Sequence, residues 1–253
     1  MILGCQRSGS TLLGMALQAH SGTEIIEENN PSFHVRSASS PIQINLQAVN
    51  EYIQEHGKLV GFKSPRDSHR IAEIIRTIPQ VRIAWITRDI FQVVASMASL
   101  RMPSGATWAN SFTHEEIIKY LLVERNDLEI AELYQWARSL KNERERAIAL
   151  ASVCWFTKYR IEVKSIAKWP TLIHRLSYDE LVSQPEKTLR RLLGFLGLEW
   201  SPATLNHPTI LTGVRPGGTV TNRSIDSKSL DKWKSRLSEN DLGLIEMVIR
   251  RLE

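Results

Sequence analysis

An α/β fold, a P-loop-like parallel sheet flanked by helices and carrying a helical cap segment, is what these 253 residues predict, on three observations. Apolar runs of strand length alternate with stretches of helical period, the arrangement that builds a parallel sheet. The first run, Met1-Ile2-Leu3, enters a turn from Gly4 to Thr11 that opens into the apolar helical stretch Leu12 to Leu17. The middle, roughly Thr113 to Lys168, has helical pattern only.

Element by element, the opening strand and helix are followed by a short strand at Ile25-Ile26 and a loop from Asn29 to Ser40. Leu59 to Phe62 is a strand candidate with a helix around Ser68 to Thr77. Val81 to Thr87 is another, with a helix around Ile90 to Leu100. The Glu-, Arg- and Ala-rich middle predicts two or three helices, a cap over residues 102–168. A last strand, Thr171 to Leu176, precedes an amphipathic helix with apolar Leu189, Leu192, Leu193 and Leu196, which Gly197 stops. Ser201 to Ser227 reads as a loop, and Ser229 to Glu253 as two short helices. The length suits one domain over residues 1–253.

Composition excludes several classes. With 42% hydrophobic and 23% charged residues the chain is neither disordered nor fibrous. A net charge of +5 suits an anionic ligand, and no dense Lys/Arg block points to nucleic acid. Cys5 and Cys154 make no disulfide framework or zinc site, and their number fits a reducing compartment. Without a signal-peptide pattern or ~18 consecutive apolar residues, the expectation is a cytoplasmic protein with no transmembrane segment. The sequence leaves the oligomeric state open.

The Gly4–Thr11 stretch, GCQRSGST, matches the phosphate-loop pattern G-x-x-x-x-G-K-[ST] at Gly4, Gly9 and Thr11 but has Ser10 in place of the lysine. Backbone N–H groups at a helix N-terminus bind an anion whatever the side chains. A nucleotide triphosphate also wants that lysine, and a strand-terminal acid for magnesium. Here the Val81–Thr87 strand runs into Arg88, ahead of Asp89. A ligand held by protein cations alone, without a metal, fits better.

Gln6-Arg7-Ser8-Gly9-Ser10-Thr11-Leu12-Leu13 resembles the 5′-phosphosulfate loop of sulfotransferases that use 3′-phosphoadenosine 5′-phosphosulfate (PAPS) and release adenosine 3′,5′-bisphosphate (PAP). Trp85 to Ile90, on to Ser96-Met97, resembles their 3′-phosphate strand and helix. Gly61-Phe62-Lys63-Ser64-Pro65, Ser177 to Val182, Phe195 to Trp200 and Leu230 to Trp233 resemble further segments, so the likeness covers nearly the whole chain apart from the helical middle. It is closest to the branch holding the protein-tyrosine sulfotransferases and bacterial relatives.

The resemblance implies a metal-independent in-line sulfuryl transfer to a hydroxyl or amine. Arg7 and Lys63 would stabilise charge. Ser8, Gly9, Ser10, Thr11 and Leu12 would hold the 5′ side, Arg88 and Ser96 the 3′-phosphate, with Tyr178 against the nucleotide. Arg215, in Arg215-Pro216-Gly217-Gly218-Thr219, would close over it, with Asn222-Arg223-Ser224 as a competing loop. The cytosolic members' base, a His two residues beyond Lys63, is replaced by Pro65. The protein-tyrosine branch instead implies Glu27, twenty residues after Arg7, with Glu28 as its neighbour in register and His34 or His69 as fallbacks. The acceptor is a small molecule, peptide or glycan. A P-loop kinase-like phosphotransferase and a catalytically silent nucleotide-binding protein are the alternatives.

Overall fold

The computed structural model describes residues 1–37, 40–101, 105, 107–211, 214–215, 219–222 and 224–252. In chain order the first elements are β1 (Ile2–Gly4), α1 (Ser10–Gln18), β2 (Thr23–Ile26), β3 (His34–Ser37), β4 (Ser40–Ile44), α2 (Leu46–Gln54), β5 (Leu59–Phe62), α3 (Ile71–Thr77) and β6 (Ile83–Thr87). Then come α4 (Ile90–Ser99), α5 (Trp108–Val123), α6 (Leu128–Ser139) and α7 (Glu143–Lys168). The chain ends with β7 (Ile173–Ser177), α8 (Tyr178–Ser183), α9 (Pro185–Leu196), α10 (His207–Ile210), β8 (Val214–Arg215), β9 (Thr219–Val220) and α11 (Glu239–Leu252). They form two compact units, Met1–Thr87 with Lys164–Ser227 and Arg88–Val163 with Lys228–Glu253.

The first unit is the predicted parallel sheet flanked by helices. β1, β6 and β7 pair in parallel, as do β2 and β5. A parallel bridge from Ile2 to Lys63 brings the end of β5 beside β1, giving the spatial order 2-5-1-6-7. Leu13, Ala16 and Leu17 of α1 and Leu189, Leu192 and Leu193 of α9 bury one face of the sheet against Ile2, Ala84, Ile86 and Leu176. The apolar face of α9 predicts this packing, and Gly197, with φ 76°, ends the helix as expected.

The second unit is helical; of the two or three helices expected in the middle segment, three are present. Its interior holds a charged triad. Glu116 of α5 accepts from Lys119 at 3.0 Å and from Lys158 of α7 at 2.9 Å, all three side chains buried. Phe91 of α4 stacks on Trp233, their centroids 5.3 Å apart.

Three expectations change. Residues 29–40 are not all loop: His34–Ser37 and Ser40–Ile44 pair as an antiparallel hairpin, with residues 38–39 outside the described residues. Asp67 anchors it, accepting from the Ile44 amide, from the Ser64 hydroxyl and, at 3.0 Å, from Arg70. Ser201–Ser227 contains α10 and the β8–β9 pair. The C-terminal stretch holds one 14-residue helix preceded by short 3-10 turns, not two short helices.

Candidate active site

Parallel strands expose their carboxyl ends at one edge, where open α/β sheets bind ligands. The Gly4–Thr11 turn follows β1, Glu27 and Glu28 follow β2, Lys63 follows β5 and Tyr178 follows β7. Arg88 comes directly after β6 in the chain.

The turn is held in an unusual shape. Gly4 and Gly9 have φ of 138° and 96°, and Arg7, at φ 69°, is the one non-glycine residue with positive φ among the described residues. Such a conformation costs of order 1–3 kcal/mol and gathers at functional sites. A Cβ on Gly4 would sit 2.3 Å from the Ile86 carbonyl oxygen, and one on Gly9 2.3 Å from Cδ2 of Tyr178. The Tyr178 ring therefore lies against the loop.

Gly9 caps α1 without a side-chain hydrogen bond, and no acid lies in the first turn. The helix thus presents its N–H groups and the positive end of its dipole with no acid of its own first turn to neutralise them. Ser8 and Ser10 are buried, and Thr11 and Leu12 half-buried. The Ser8 hydroxyl and both amide atoms of Gln6 are buried without a hydrogen-bond partner among the described residues, an arrangement that suits groups awaiting a ligand.

Lys63 joins loop to carboxylates. Its side chain is fully buried, and its ammonium donates to Thr11 Oγ1 at 3.2 Å and to Glu28 Oε1 at 3.2 Å. Glu27 Oε2 lies 2.9 Å away, out of line for a hydrogen bond, so that contact is an ion pair. The Glu27 side chain is 13% exposed and that of Glu28 24%, so Glu28 is the one an incoming group reaches more readily. The backbone fixes this meeting, since Lys63 N–H donates to the Ile26 carbonyl at 2.9 Å.

His34, at the start of β3, donates from Nδ1 to the Asn30 carbonyl at 3.3 Å, which leaves Nε2 as the lone-pair nitrogen, buried and without a hydrogen-bond partner among the described residues. Burial holds its pKa below the usual imidazole value, against the pull of the Asn30 hydrogen bond, Asp67 and Glu28. His69 is engaged through Nδ1 with the Arg66 carbonyl at 3.1 Å.

Arg88 and Ser96 belong to the second unit, both half-buried. Arg88 Nε donates to Gln92 Oε1 at 2.8 Å, and its carbonyl accepts from the indole N–H of Trp155 at 2.9 Å. Neither partner was legible in the sequence: Trp155 is 67 positions away, and a glutamine one turn into a helix carries no signal of its own. Arg215 sits in β8, opposite Thr219 of β9. Pro216, Gly217 and Gly218 of its predicted closing loop, and Arg223 of the competing one, lie outside the described residues.

An apolar cavity of about 350 Å³ lies elsewhere in the first unit, lined by residues such as Ile25, Val49, Ile53, Leu59 and Ile78. None of the turn residues lines it. Among the described residues, no group of three or more His, Cys, Asp or Glu could hold a metal, and no helix is long and apolar enough to cross a membrane.

A model of the sulfotransferase family matches residues 33–202, well over half of the chain. The chain belongs to the sulfotransferase family. It is similar to protein-tyrosine sulfotransferase 1 of Danio rerio, 22% identical over 98% of this chain and 70% of the relative. Among solved structures, it is similar in fold to the sulfotransferase domain from the curacin biosynthetic pathway, with a TM-score of 0.64 and 17% identity over 99% of this chain and 95% of that one. Mouse sulfotransferase SULT7A1, solved in complex with PAP, superposes with a TM-score of 0.55 and 13% identity over 98% of this sulfotransferase and 81% of that chain.

Proposed function

We propose that this sulfotransferase moves a sulfuryl group from PAPS to a hydroxyl or amine acceptor, in line and without a metal. The observation that carries the reading is the buried Lys63 ammonium, set among the Thr11 hydroxyl of the anion-binding turn and the carboxylates of Glu27 and Glu28. It joins a phosphate cradle, a cation and a base in one cluster. The unpartnered Ser8 hydroxyl and the uncapped start of α1 suit the 5′ side of the nucleotide. PAP in the mouse structure supports the same nucleotide here.

When bound, PAPS supplies a sulfuryl group on a phosphate leaving group. Ser8, Gly9, Ser10, Thr11 and Leu12 hold its 5′ side through N–H groups and hydroxyls. Arg88 and Ser96 take the 3′-phosphate, with Tyr178 and Arg215 completing the nucleotide contacts. Arg7 and Lys63 offset the negative charge that gathers on the bridging oxygen as its bond to sulfur breaks.

An ammonium has three N–H groups, and Lys63 commits two of them, to Thr11 and Glu28, with Glu27 held beside it as an ion pair. The third serves the ligand, and a shift of the ammonium toward the ligand frees Glu28 to take the acceptor's proton, so cation and base act together. Glu27 fits the twenty-residue register from Arg7. Exposure favours Glu28, with Glu27 Oε2 kept against the lysine. We assign the proton to Glu28 and the holding of Lys63 to Glu27.

The acceptor is a small molecule, peptide or glycan, and the zebrafish relative's name makes a peptide tyrosine the first class to test. The same reading places the protein in the cytoplasm, since Cys5 and Cys154 are buried and form no disulfide. Calorimetric titration with PAP and with ATP plus magnesium tests the nucleotide class. Tight binding of PAP without metal is expected; binding of magnesium-ATP in preference to PAP overturns the reading in favour of a kinase-like enzyme.

A further inference from the structure

We infer that Trp155 and Gln92 are positioning residues for Arg88, fixing its backbone and its guanidinium in the orientation that meets the nucleotide's 3′-phosphate. This rests on the proposed role of Arg88 in holding that phosphate.

An indole has one polar hydrogen, and Trp155 gives it to the Arg88 carbonyl at 2.9 Å. The ring is itself held: it stacks on Tyr159 with centroids 5.4 Å apart and planes 8° from parallel, and meets the edge of Phe156 at 5.2 Å. Trp155 thereby pins the main chain of Arg88 to the long helix α7. The side chain is pinned separately, by Nε donating to Gln92 Oε1 at 2.8 Å.

Gln92 is buried, and its backbone is fixed where it stands, because the Asp89 carboxylate that caps α4 accepts from the Gln92 backbone N–H at 3.1 Å. An arginine meets a phosphate bidentately through one edge of its planar fork. With Nε directed at Gln92, the direction of the Nη1–Nη2 edge is set. A long side chain loses rotamer freedom when it grips a ligand, and prior ordering lowers that cost.

The test is the affinity for PAP and for adenosine 5′-phosphate of the unmodified protein, Trp155→Phe and Gln92→Leu, each with a thermal melt. Trp155→Phe keeps an aromatic ring and removes the donor; Gln92→Leu removes the Nε partner. Each is expected to weaken PAP about ten-fold, about the size of one hydrogen bond, while adenosine 5′-phosphate is unaffected. Residues that merely support the fold would lower the melting temperature and leave the ratio of the two affinities alone. A ratio within two-fold of the unmodified protein's in the folded variants overturns the inference while the Arg88 reading stands. An unmodified protein that binds both nucleotides equally overturns the Arg88 reading and the inference with it. If one variant does not fold, the other decides.

Discussion

The Lys63 ammonium donates to the Glu28 carboxylate at 3.2 Å, though the two residues leave different strands, and the lysine side chain is only 1% exposed. A charge so withdrawn from water is kept by partners, and removing it strands two carboxylates. Lys63→Met should therefore lower sulfuryl transfer by at least about 10²-fold, the range for losing one charge-stabilising group. It should also cost about 1–3 kcal/mol of stability in urea melts. Full activity in Lys63→Met would remove the lysine from the mechanism.

The carboxylates separate by function. Glu28→Gln keeps shape and hydrogen bonding but cannot take the proton at neutral pH, so PAP affinity should hold while turnover falls about 10²–10⁴-fold. Glu27→Gln should be milder in rate. The reverse order would assign the proton to Glu27. If both variants turn over normally, the next candidate is His34, whose Nε2 is buried and has no hydrogen-bond partner among the described residues.

Gly9 has two reasons to be glycine: its φ of 96° and the Tyr178 ring 2.3 Å from where a Cβ would lie. Gly9→Ala should weaken PAP binding by more than ten-fold, from a loop displacement costing about 1–3 kcal/mol. Adding Tyr178→Ala should restore part of this. Equal affinities for the unmodified protein and Gly9→Ala would show that the loop shape does not matter.

The turn and its helix were legible because Gly4, Gly9 and the apolar run after Thr11 follow one another in the chain. The strand ending in Thr87 and the helix from Ile90 were legible for the same reason: their patterns are local. The β3–β4 hairpin was hidden because Asn29, Asn30, Pro31 and Ser32 read as turn and Pro41 interrupts the second strand. Its anchor, Asp67 on the Ile44 amide, lies 23 positions away. α2 carries a local signal of its own, Asn45 accepting from the Ala48 amide as its N-cap. Lys63 was legible as a strand-end cation, but its meeting with Thr11 and both glutamates depends on strand order, which no local pattern encodes.

The second unit gives a test in pH. Asp241 is buried and accepts from Arg144 Nη2 at 2.7 Å, the Ser238 amide at 2.7 Å and the Ser238 hydroxyl at 2.8 Å. Burial pushes its carboxyl up, but the Arg144 and Ser238 hydrogen bonds together outweigh burial and hold it below the usual carboxylate range. A carboxyl with a folded pKa below its unfolded one stabilises fully above the unfolded value, about 3.9. The contribution is lost as pH falls through the folded pKa. Asp241→Asn should cost about 1.5–3 kcal/mol at pH 7. The gap to the unmodified protein should narrow as pH drops below about 4. A gap equal at pH 7 and pH 3 would show that the charge of Asp241 contributes nothing.

The central claim is tested most directly by transfer of labelled sulfate from PAPS to a panel of acceptors, peptide tyrosine first, in excess EDTA. Protein cations are proposed to do what magnesium does in a phosphotransferase, so label should move to at least one acceptor class at the same rate with and without the chelator. Transfer that stops with EDTA and returns with magnesium, or an enzyme that moves phosphate from ATP and no sulfate from PAPS, would contradict the account.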